Sequence, residues 1–112
     1  MRVAVVVRDL LMGSRILDAA TRAGADLVRV DSPADLPPAD DLDLLLVDWG
    51  GRYHDWGEQL VVWAAATSRP PRIVLFGPHT DLAAHADAKH HRLGPMLARS
   101  KLITSLPSLF GG

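Results

Sequence analysis

Val3 to Val7 is an unbroken apolar run, four of its five residues β-branched. Such a run, short and not alternating, suits a strand covered on both faces, as in a parallel sheet. From Asp9 to Ala23 the pattern changes to helical spacing. Leu10, Leu11, Ile16, Leu17 and Ala20 recur as the apolar set, and Arg15, Asp18 and Arg22 occupy the opposite face. Asp9 is the expected N-cap, because its carboxylate accepts from free backbone N–H groups, and Gly24 is the expected residue just past the helix end.

Asp26 to Asp31 alternates enough for a second strand. Ser32 to Asp41 holds three prolines and three aspartates and predicts at most one short helical turn. Leu42 to Asp48 is the third and most hydrophobic strand, expected at the centre of the sheet. Trp49 to Gly57 reads as a loop, and Glu58 to Thr67 as a helix ended by Arg69-Pro70-Pro71. Arg72 to Phe76 is the fourth strand, with Gly77-Pro78 as a turn. Asp81 to about His91 is a further helix capped by Thr80 or Asp81. Pro95 to Arg99 is a short fifth strand, followed by a brief helical or irregular tail from Ile103 to Phe110.

Strands alternating with helices predict an α/β fold with a parallel sheet. Five strands in this length fit a flavodoxin-like doubly wound sheet, order 2-1-3-4-5, with the second helix shortened or missing. No repeat or linker divides the chain, so residues 1–112 are expected to form a single domain.

Composition removes several function classes. Twelve basic residues against thirteen acidic leave a net charge of −1, without the basic footprint of a nucleic-acid binder. The absence of cysteine excludes a disulfide framework, a thiolate nucleophile and Cys-ligated metal. No apolar run approaches the ~20 residues that span a bilayer. The chain opens directly into a strand without an export signal, so a cytoplasmic protein is expected.

In an open α/β sheet, ligands bind outside the strand carboxyl ends. There lie Arg8 and Asp9 after the first strand and Asp48 after the third. Phe76 and Gly77 follow the fourth strand, and Arg99 and Ser100 the fifth. Strands 1 and 3 are neighbours in the expected order, which brings Asp9 and Asp48 close together. Neighbouring carboxylates repel unless a cation or proton relieves them, and hard oxygen ligands suit Mg²⁺. Against that stands a simpler assignment, in which Asp9 caps a helix and Asp48 a loop.

From about Arg2 to Phe110 the layout resembles a response-regulator receiver domain. The resemblance rests on VVVRD at 5–9, DLLLVD at 43–48, IVLFGP at 73–78 and MLARS at 96–100. It implies that Asp48 takes the phosphoacceptor place and Asp9 the second acidic place. Arg8 then stands where the first acid belongs, and Phe76 or Gly77 where a hydroxyl belongs. Arg99-Ser100 replaces Lys-Pro, and the second helix is reduced to the proline-rich connection. Phosphoryl transfer to a carboxylate needs a divalent cation to neutralise and position the phosphate oxygens. Arg8 subtracts a ligand charge, and it is expected to pair with Asp48 or Asp9 instead. Arg99 offers a planar fork rather than a compact ammonium. The resemblance therefore implies a pseudo-receiver: a non-enzymatic signalling module without a resident cofactor, acting on a protein partner or on itself.

Two further features stand out. The helix Glu58–Thr67 has one charged residue, so it must be covered on more than one side. Trp56, Leu60 and Trp63 are candidate interface residues for a homodimer, with packing under neighbouring loops as the alternative. His79, His85, His90 and His91 lie close in sequence, but without the spacing of a zinc helix, and no metal site is assigned to them. Asp81–His85 and Asp87–His91 are instead expected as i,i+4 pairs. Arg52 and Tyr53 are either an anion contact or an exposed loop tip. Two other functions remain open: a Mg²⁺-dependent phosphoacceptor at Asp48, and a small anion-binding protein using Arg8 and Arg99.

Overall fold

A computed structural model describes residues 1–111. Its strands are β1 (Arg2–Val6), β2 (Asp26–Val30), β3 (Leu44–Asp48), β4 (Arg72–Gly77) and β5 (Met96–Ala98). They pair in parallel in the order β2-β1-β3-β4-β5, with β3 in the middle. Four helices cover the sheet: α1 (Leu10–Ala23), α2 (Trp56–Ala65), α3 (Leu82–His90) and α4 (Arg99–Leu109). The flavodoxin-like topology expected from the hydrophobic pattern is the one observed.

The strand runs are apolar throughout because successive side chains enter two different cores. Val3, Val5, Leu44, Leu46 and Phe76 pack with Ile16, Ala20, Leu102 and Leu106 from α1 and α4. Ala4, Val6, Leu45, Val47 and Leu75 pack with Trp49, Trp56, Leu60, Ala84 and Ala88 on the opposite face. Edge strand β2 is only partly covered, Leu27 packing against one core and Val30 against the other, and its residues are half-buried or exposed.

The predicted caps of α1 are present. Asp9 accepts from the Met12 N–H at 3.0 Å, and Gly24 has φ 70°, closing the helix in the left-handed region. Asp81 caps α3 by accepting from the Ala84 N–H.

Three boundaries differ from expectation. The proline-rich connection forms two 3₁₀ turns, Pro33–Asp35 and Ala39–Asp41, rather than one. Ser32 caps the first through its hydroxyl, and proline suits the start of such a turn. The loop after β3 contains a 3₁₀ turn (Trp49–Gly51), and α2 begins at Trp56 and ends at Ala65. The C-terminal tail is a full helix beginning at Arg99. Leu102, Leu106 and Phe110 recur every fourth residue and bury one face of it. Pro107 lies near its C-terminal end, where it leaves the Ile103 carbonyl without its helical donor and only two helical residues follow.

Candidate functional site

The carboxyl ends of β1, β3, β4 and β5 meet where the register aligns Asp48 with Phe76 and Gly77 with Ala98. Asp48 ends the central strand and is only 7% exposed. Its Oδ1 is buried with no hydrogen-bond partner among the described residues. Burial therefore raises the Asp48 pKa above the ordinary carboxylate value. Attraction to Arg99 and the nearby Gly51 backbone N–H oppose that rise, and repulsion from Asp9 adds to it. The nearest cationic atom is Arg99 Nη2, 4.0 Å from Oδ1.

The remaining predicted residues are placed individually. Asp9 is exposed and committed to the cap of α1. Arg8 does not pair with Asp9 or Asp48. Its guanidinium lies over the Tyr53 ring, 5.0 Å from the centroid, where the π face attracts the cation without desolvating it. Phe76 is fully buried in the core beside α1 and α4. Gly77 is buried at the end of β4, and the loop after β3 passes directly against it. A Cβ there would lie 2.9 Å from the Gly50 backbone nitrogen and 2.8 Å from Met96 Sδ. The position admits no side chain without displacing backbone. Ser100 is exposed in the first turn of α4.

These residues do not form a complete set for a hard divalent cation. Among the described residues, no group of three or more His, Asp or Glu side chains is gathered to hold a metal. Asp9 Oδ1 is taken by a backbone N–H, and Asp48 Oδ1 faces a guanidinium.

Sequence reasoning missed the brace behind this end of the sheet. Arg52 donates from Nε to Asp87 Oδ2 at 2.7 Å and from Nη1 to the Trp49 carbonyl at 3.1 Å. The same guanidinium lies 5.0 Å over the Trp49 ring. Buried Trp49 donates from Nε1 to the Ala84 carbonyl at 2.9 Å, tying the loop to α3. Arg52 is thus neither a free anion contact nor a loop tip. Asp87 also meets His91 at 3.3 Å, as the i,i+4 spacing predicts, whereas His85 turns its Nε2 to the His79 carbonyl rather than to Asp81.

Two candidate interface residues are corrected: Trp56 and Leu60 are fully buried in the core beneath α2 and α3. Trp63 is half-buried, its Nε1 donating to the Pro37 carbonyl at 2.9 Å, and Val61 and Val62 are the large apolar residues α2 exposes. No helix among the described residues is long and apolar enough to cross a membrane.

No family model matches the chain, and no curated protein matches it in sequence. Solved structures do match in shape. A response regulator from Hahella chejuensis superposes with a TM-score of 0.73 at 15% identity, over 98% of this chain and 92% of that one. The signal receiver domain of NarL from Mycobacterium tuberculosis gives 0.72 at 22%, over 96% and 90%. The response regulatory domain of mrkE from Klebsiella pneumoniae gives 0.69 at 17%, over 99% and 96%. The chain has the fold of response-regulator receiver domains.

Proposed function

We propose that this chain is a receiver-like signalling module that works through protein contacts and lacks competent phosphorelay chemistry. The observation that carries the reading is the approach of Gly50 to Gly77. Transfer to Asp48 needs a donor for the phosphoryl oxygens at the end of β4, and backbone fills that place. Phe76, the other residue available there, buries its ring in the core. The cation needed to neutralise a phosphoryl group also has fewer acidic ligands, because Arg8 stands where a first acid would and leaves Asp9 alone beside Asp48. Arg99 already stands 4.0 Å from Asp48, and a single guanidinium does not reproduce the geometry a metal imposes.

Tryptophan emission during titration with Mg²⁺ and then beryllofluoride tests this. Buried Trp49 follows Asp48 directly and reports on the pocket. No change is expected in either step. A saturable change that disappears in Asp48→Asn would establish a working phosphoacceptor instead.

A further inference from the structure

The connection before β3 and the start of α2 enclose a groove of about 490 Å³. Pro33, Leu36, Val62 and Trp63 form its apolar wall, and Asp55 and Glu58 stand on its rim. No Lys or Arg lines the groove among the described residues. Trp63 is held in place by its bond to the Pro37 carbonyl, so that wall is preformed. Gln59 donates from Nε2 to Asp55 Oδ2 at 3.1 Å, which orients the amide. Its Oε1 is thereby left a buried acceptor with no partner among the described residues. An occupant complementary to this groove is apolar and cationic.

The chain carries such a surface on its other side. Leu10 and Leu11, in the first turn of α1, are 74% and 66% exposed. Arg8 and Arg15 are exposed beside them, and Arg15 and Arg99 line one shallow groove with Leu11. Asp9 lines the same groove and offsets one of these charges, which leaves the corner net positive through Arg8, Arg15 and Arg99.

We propose that a second copy of the chain docks its Leu10–Leu11 corner, with Arg15, into the acidic groove of the first. Apolar surface meets apolar surface, and arginine meets Asp55 and Glu58. The contact is heterologous. Each copy keeps one free groove and one free corner, so assembly proceeds head to tail rather than stopping at a two-fold dimer. The inference rests on the reading of the chain as a protein-contact module. It is independent of the Asp48 test, because a response to beryllofluoride would leave the sedimentation result unchanged.

Sedimentation velocity with the full chain tests it. The mass is expected to rise above 12.1 kDa with concentration and to fall back with added salt. Val62→Lys sets a like charge against the arginine of the incoming corner, and Leu11→Glu sets one against the acidic groove; both positions are 66% exposed, so neither change touches the core. Each variant alone is expected to associate at least about tenfold more weakly than the parent, the size of effect that like-charge juxtaposition produces. Mixed, they are expected to recombine into a one-to-one pair with the mass of two chains, since one retains the groove and the other the corner. A parent chain that stays monomeric overturns the proposal, as does either variant retaining full association or a mixture that does not pair.

Discussion

Arg99, the first residue of α4, places Nη2 4.0 Å from Oδ1 of Asp48, the last residue of β3. The contact spans the crevice at the carboxyl ends of β3 and β5. At that distance, with Arg99 about half exposed, the attraction offsets only part of the cost of burying Asp48, whose pKa remains raised.

The raised pKa sets a pH dependence of stability. A carboxyl that holds its proton more tightly when folded contributes stability fully below the ordinary carboxylate range. That contribution is lost as pH rises through the native-state value. At neutral pH the charged Asp48 is therefore a cost. Asp48→Asn keeps the shape and removes the charge, so it is expected to stabilise the protein at pH 7 by about 0.5–3 kcal/mol, the range of single-site effects. The advantage should disappear below pH ~4. Urea unfolding across this range checks it. A variant less stable than the parent at pH 7 would mean that attraction to Arg99 outweighs burial.

Replacing Arg99 with methionine keeps much of the side-chain stem and removes the charge. The Asp48 pKa is then expected to move further up, because the largest opposing influence is gone. Carbon-13 chemical shifts of the Asp48 carboxyl, followed through a pH titration, would report it. An identical midpoint in both proteins would show that the 4.0 Å approach has no electrostatic consequence.

What the sequence makes legible follows from the range of the interactions involved. β1 and β3 are buried on both faces, so their apolar runs carry their own signal, and Asp9 and Gly24 mark the ends of α1 by local backbone chemistry. α4 is harder to read because Pro107 and the polar residues around it mask the burial of Leu102 and Leu106. The apolar composition of α2 shows that it needs cover but not which side receives it, so Trp56 and Leu60 pass for surface when they are core. Arg8 finds Tyr53, and Gly50 meets Gly77, through the packing of separate loops. No local pattern encodes either meeting.

The division of α2 into a buried and an exposed side gives a direct comparison. Leu60→Ala opens a cavity in a fully buried site and is expected to cost about 2–5 kcal/mol. Val62→Ala, on the exposed side of the same helix, is expected to stay within about 0.5 kcal/mol. Chemical denaturation of the two variants separates the assignments. Equal effects would mean that the helix is rotated from the position described.

The Arg52–Asp87 pair is the strongest polar link between the loop after β3 and α3. Exposed ion pairs contribute little, but here the Arg52 side chain is 18% exposed and Asp87 34%, and the contact is 2.7 Å. Arg52 also packs over Trp49 and bonds to its carbonyl, so it acts as a brace and not only as a charge. Arg52→Ala is expected to cost about 1.5–3 kcal/mol, as for hydrogen bonds to charged groups in partly buried sites. Asp87→Ala should cost less, because Arg52 retains its contacts with Trp49. In a double-mutant cycle the coupling between the two is expected near ~1 kcal/mol, above the usual value for a solvated pair. Trp49 emission supplies the second readout, since loss of the brace admits water to the indole while its bond to Ala84 persists. A coupling near zero with unchanged emission would reduce the pair to an incidental surface contact.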